Sequence, residues 1–154
     1  MNFIGLDAQK ANQLADQLND LLANFQVYYQ NLRGFHWNIK GPQFFELHVK
    51  FEELYTEAHT QIDEVAERIL TLDKSPLHSF ADYLQAAEIT PAVDVSDAEN
   101  TVGITLSNIQ ALIKREREIL EMAGEANDEG TVALMSDYIA GQEKTAWMLK
   151  SYLG

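Results

Sequence analysis

Residues 43–72 pass without a glycine or proline, between Gly41-Pro42 and the break at Asp73-Lys74-Ser75-Pro76. Proline suits the first turn of a helix and fits its interior badly, so this run reads as one long helix starting after Pro42 and ending near Leu72. Leu47, Phe51, Leu54, Tyr55, Ala58, Ile62, Val65 and Ile69 form its apolar face. A second, polar stripe runs beside it. With His48 at zero and roughly 100° per residue, Glu52 falls near 40°, His59 near 20°, Asp63 near 60° and Glu67 near 100°.

Within that stripe His48 and Glu52 stand four apart, as do Asp63 and Glu67, so each pair can chelate or pair locally. Glu52 and Asp63 are separated by roughly 16 Å along the axis at about 1.5 Å per residue. Metal–ligand bonds of about 2 Å cannot span that gap, so one helix cannot close one site from both pairs. An antiparallel copy of the helix in a second subunit would bring the halves together, and a symmetric dimer would then hold two equivalent sites. The chain has no cysteine, which removes disulfides, zinc–thiolate sites and thiol nucleophiles; any metal is held by nitrogen and oxygen.

A lone histidine near a helix end is more often a charge partner for the C-terminus than a ligand. His36-Trp37 followed by His48 twelve residues on reverses those odds. His59 stays open between an accessory ligand and a histidine that supports the site or a subunit seam. Glu53, Glu57 and Glu64 read as a solvated face, and Arg68 as a salt-bridge partner near the site or the seam.

The sequence His36-Trp37-Asn38-Ile39-Lys40-Gly41, then Phe44 or Phe45, Leu47 and His48, then Asp63-Glu64-Val65-Ala66-Glu67-Arg68-Ile69, closely resembles the signature of the Dps proteins, the mini-ferritins. The resemblance implies metal ligands His36, His48 and Glu52 from one subunit and Asp63 and Glu67 from its dimer mate. It further implies that these residues are catalytic for Fe(II) oxidation, with hydrogen peroxide preferred over dioxygen. A hollow twelve-subunit shell storing ferric oxide, and protection against hydroxyl-radical chemistry, complete the expectation. Glu52 departs from the family's usual aspartate; its longer side chain shifts the reach of the carboxylate at that corner. Trp37 reads as a packing group beside the site that could intercept radicals, or as a plain aromatic core residue. Imidazole suits iron and carboxylates favour its harder ferric form, so two histidines and three acids can hold both states.

A first long helix is expected from near Asp7 to about Arg33, with Gly34 at its end. After the break at Pro76 a short helix over Ser79–Glu88 sits in a long connection, in which His78 has no chelating neighbours. Ser96-Asp97-Ala98-Glu99 reads as a capping box opening the third long helix, whose run Lys114–Glu121 reads as a solvated face. The fourth is expected from about Thr131 to Leu153, with Val132, Met135, Ile139, Ala146, Trp147 and Leu149 inward. Together these elements make a single all-α domain over residues 1–154, a ferritin-like four-helix bundle with a short extra helix between helices two and three. No Glu-x-x-His occurs, which argues against a di-iron centre inside each chain. Glu125, Asp128 and Glu129 suit a helix start; the resemblance implies that Asp128 and Glu129 line a pore through which iron enters.

Eleven basic against twenty-four acidic residues give a formal net charge of −13, which suits gathering cations and repels phosphate backbones. Lys10 alone in the first ten residues and Lys150 alone in the last ten leave no lysine-rich tail, so no strong DNA binding is expected. The first ten residues show no secretory pattern and no run suits a membrane span, so a cytoplasmic protein is expected. Two rival readings stand: a nucleoid or DNA-binding protein with an incidental metal site, and a structural shell whose His/acid stripe is a hydrogen-bonded seam.

Overall fold

Asp7 opens the first helix by accepting the Lys10 backbone N–H at 2.9 Å, satisfying one of the donors that a helix start leaves free. The structure, a computed structural model, describes all 154 residues. Five helices are present: α1 (Ala8–Asn38), α2 (Phe44–Thr71), α3 (Phe80–Ala86), α4 (Ala98–Glu125) and α5 (Glu129–Leu153). α1 packs against α2 and α4, α4 packs against α5, and α3 lies on α1, giving a four-helix bundle with a short extra helix in the crossover. Leu18, Leu21, Phe25, Phe51, Ile69, Ile109, Leu112 and Ile119 are fully buried in one continuous core.

α1 does not stop at Gly34. A glycine inside a helix costs about 1 kcal/mol, and burial of Phe35 and His36 in the next turn outweighs it. His36 therefore stands inside the last turn of α1, and the helix ends where the Ile39 N–H donates to the Phe35 carbonyl. Gly41, at φ +115°, makes the turn into α2 with a backbone that other residues rarely adopt.

The long crossover is fastened by three asparagines of α1. Asn19 bonds Leu77 N–H and the Ser75 carbonyl, Asn24 accepts from Glu88 and Ile89 N–H, and Asn31 bonds Ala92 N–H and the Thr90 carbonyl. Each amide presents a donor and an acceptor, so it can replace the ladder partners that irregular backbone lacks.

Four further expectations need correction. The cap of α4 is Asp97, which accepts from Asn100 N–H at 2.8 Å, whereas the Ser96 carbonyl accepts from Lys40 N–H. α5 starts two residues before Thr131, because Asp128 caps it. Trp147 points out of the bundle and is 64% exposed. Within Lys114–Glu121, Glu116 is fully buried: it follows Leu112 by four and precedes Ile119 by three, so it lies on the apolar stripe.

Gln142 Nε2–H donates to Glu116 Oε2 at 2.9 Å, while Glu116 Oε1 and Gln142 Oε1 have no hydrogen-bond partner. Burial pushes the Glu116 carboxyl up to about 8, against the smaller opposing effects of the Gln142 hydrogen bond and Arg117.

Candidate metal centre

The end of α1 and the start of α2 are antiparallel neighbours, and this brings His36 and His48 face to face. Their rings are stacked, with centroids 3.8 Å apart and planes 12° from parallel. Each histidine is tied to the backbone of the other: His36 Nδ1 lies 2.6 Å from the His48 carbonyl, and His48 Nδ1 lies 2.7 Å from the His36 carbonyl. A carbonyl only accepts, so both Nδ1 atoms carry the proton. In the neutral rings each Nε2 then keeps its lone pair, the tautomer a metal-binding imidazole needs.

Other rings hold the pair in place. Phe44 stacks on His48 at 5.0 Å, and Tyr55 meets His36 edge-on at 5.3 Å and 79°. His36 is buried at 8% exposure and His48 is half-buried. Sequence reasoning passed over Tyr55 as one more apolar-face residue. Its signal was its place seven residues, about two turns, beyond His48 on α2.

Glu52 stands one turn beyond His48 and is exposed. Asp63 and Glu67 are also exposed, toward the C-terminal end of α2. No group of three or more histidines and acids in the single chain is close enough to hold a metal ion. One chain thus brings the two histidines together and leaves Asp63 and Glu67 farther along α2. Trp37 is 56% exposed beneath the Arg33 guanidinium, which lies 4.9 Å from its ring centroid. His59 is exposed, 6.0 Å from the Tyr29 ring.

The acids at the start of α5 fall into two environments. Asp128 is buried, caps α5 through Thr131 N–H, and accepts from Arg68 Nη2 at 2.6 Å. That pairing fixes the end of α2 to the α4–α5 turn, and it is the partner that Arg68 takes. A Cβ on Gly130 would stand 2.8 Å from the Arg68 guanidinium, so the side chain needs the glycine's open space. Glu129 is exposed.

A Ferritin-like domain family model matches residues 15–154. The Porphyromonas gingivalis DNA protection during starvation protein is 46% identical over 96% of this chain and 93% of its own length. A crystal structure of the Vibrio cholerae Dps protein superposes with a TM-score of 0.99 at 53% identity, covering all of this chain and 97% of that one. The chain belongs to the Dps family of ferritin-like proteins. The Vibrio Dps structure is described as a member of a broad superfamily of ferritin-like diiron-carboxylate proteins. An uncharacterised Haemophilus influenzae protein is 51% identical to this Dps chain over 148 residues. No helix of the Dps chain is long and apolar enough to cross a membrane.

Proposed function

We propose that this Dps protein is a ferroxidase and iron store. It oxidises Fe(II) with hydrogen peroxide, or more slowly with dioxygen, at a site shared by two subunits. One subunit supplies His36, His48 and Glu52, and its mate supplies Asp63 and Glu67. The observation that carries this reading is the reciprocal locking of the two histidines, which ties up both Nδ1 atoms and reserves both Nε2 atoms for ligands.

The stacking adds a requirement. A ligating lone pair lies in its ring plane, and the planes are 12° from parallel with centroids 3.8 Å apart. An ion in one plane therefore stands outside the other. Each imidazole thus offers its Nε2 to an ion in its own ring plane. Two Fe(II) ions together supply the two electrons that split the O–O bond of one peroxide, which with two protons leaves as two waters. No single-electron fragment of peroxide is released. The carboxylates hold the ferric product until it passes inward to a ferric oxide mineral in a hollow twelve-subunit shell built from two-fold dimers.

Of the two acids expected at the iron pore, Asp128 has its carboxylate committed to Arg68 and to the α5 cap. Glu129 is the one with an open carboxylate for guiding cations. The net charge of −13 favours such guidance in a cytoplasmic protein.

The test is anaerobic Fe(II) loading followed by peroxide, with ferric absorbance followed in the wild type and in His48→Ala/Asp63→Ala. Fast oxidation that falls about 10–100-fold in the variant supports the reading; equal rates reduce the stripe to a structural seam. The rival DNA-binding reading draws only on the relative's name. The net charge weighs against it, and clear retention of a duplex in a low-salt gel shift at stoichiometric protein would restore it.

A further inference from the structure

A centre shared as proposed above fixes how two α2 helices lie against each other. Residues 48–52 of each chain then face residues 63–67 of the other, so the two-fold axis crosses α2 midway, between Glu57 and Ala58. Helices related in this way come closest at the axis, where packed helices stand about 8–10 Å apart. The two iron centres lie about 11 Å to either side, at about 1.5 Å per residue.

The ligands that face the partner fan over roughly 0–100° of α2, from His48 to Glu67. Of the three residues on either side of the axis, Thr56 (near 80°) and His59 (near 20°) fall inside that fan. Ala58 is buried in the chain's own core, and Tyr55 packs on His36. Glu57 turns the other way, its Oε1 lying 3.9 Å from where a Cβ on Gly141 of α5 would stand. Thr60, at the edge of the fan, donates to the Thr56 carbonyl of its own helix at 3.4 Å. His59 is exposed in the single chain, beside the Tyr29 ring at 6.0 Å. Resting on the shared-centre reading, we infer that His59 and the partner subunit's His59 form a second metal site on the two-fold axis, one that takes a single divalent cation of the Zn(II) class per dimer.

The distances suit such an ion. His59 stands one and a half residues past the axis, so the two histidines are staggered by about 4.5 Å along the helices. Side chains lean toward the N-terminus of their helix, which for each His59 is toward the axis, and this brings the rings closer. Two imidazole nitrogens bound to one ion at about 2.0–2.1 Å stand no more than about 4 Å apart. The donors also set the metal. Two imidazoles, with the Thr56 hydroxyls beside them and no carboxylate, suit Zn(II) or Cu(II) and offer little to hard ferric iron. The nearest acids of the stripe, Glu52 and Asp63, lie about 8 Å from the axis and serve the two iron centres. An ion held by one histidine from each subunit ties the dimer together without occupying either centre.

The experiment is equilibrium dialysis of the assembled, iron-free protein against Zn(II), comparing the wild type with His59→Ala. Both proteins keep the ligands of the iron centres, so the difference between them isolates the axis. The wild type should hold one more zinc per two chains than His59→Ala, the stoichiometry of an ion on a two-fold axis. Equal uptake overturns the site, and so does a difference of one zinc per chain, which would mean that each His59 binds alone. Peroxide-driven Fe(II) oxidation in His48→Ala/Asp63→Ala separates the two readings. Oxidation lost in that variant, with zinc uptake equal in wild type and His59→Ala, overturns the axial site and leaves the ferroxidase reading standing. Oxidation at the wild-type rate removes the shared centre, and with it the register that brings the two histidines together.

Discussion

Replacing Glu116 by glutamine should make this Dps protein more stable at neutral and alkaline pH, although it removes a charged residue type from a helix rich in ion pairs. Glu116 is fully buried, and its carboxyl is pushed from 4.5 to about 8, chiefly by burial. Below pH 4.5 both folded and unfolded chains hold the proton, and the group is neutral in its effect. Between 4.5 and about 8 the unfolded chain releases the proton while the folded chain keeps it, so stability falls as pH rises. Each pH unit in that window costs about 1.4 kcal/mol, on the order of 3 kcal/mol by pH 7 and 5 kcal/mol by pH 8. Above about 8 both states are ionised and the loss levels off. Glutamine has the same shape, does not titrate, and can donate to Gln142 Oε1, which now lacks a partner. The groups that sense this position are Tyr28 from α1, Arg117 from α4, and Tyr138 and Gln142 from α5, and they are common to both proteins. Guanidinium unfolding at one fixed protein concentration, from pH 5 to pH 8, isolates the Glu116 contribution as the difference between variant and wild type. That difference should grow in the variant's favour by several kcal/mol across the range. A difference independent of pH would refute the burial argument.

Asp128→Ala removes the α5 cap and leaves Arg68 without its buried partner; a loss of roughly 2–4 kcal/mol is expected, read by denaturant unfolding. Asn31→Leu deletes the bonds to Thr90 and Ala92 and should cost roughly 1–3 kcal/mol. Its signature in hydrogen exchange is faster exchange confined to the crossover, with the bundle helices protected as before.

The bundle and its extra helix were legible because glycine and proline breaks separate periodic apolar runs, and the ligand spacing was legible because side chains four apart share a helix face. Where the reading failed, a local rule met a tertiary one. Gly34 looked like a stop, yet Phe35 and His36, the next two residues, are buried and carry α1 onward. Glu116 was hidden inside the run Lys114–Glu121, where composition suggested solvent but the sequence Leu112, Glu116, Ile119, Ala123 keeps to the buried stripe. The asparagine clamp had no local signal, since its partners lie 56 to 65 residues away. Trp147 was assigned inward on apolarity alone, and no helix of the single chain covers it. The reciprocal carbonyl bonds of His36 and His48 likewise depend on how α1 and α2 lie against each other, which no residue spacing encodes.

The central claim is that a single centre draws ligands from two subunits. Subunit complementation tests it most directly: His48→Ala and Asp63→Ala chains are prepared separately, then dissociated, mixed in equal amounts and reassembled. Each variant alone should oxidise Fe(II) slowly. In a mixed dimer the intact histidines of one chain meet the intact acids of the other, which restores one of its two centres. Random assembly should therefore recover about one quarter of wild-type peroxide-driven Fe(II) oxidation. No recovery in a mixture shown to contain mixed dimers would contradict the shared centre and return the histidine pair to a structural role.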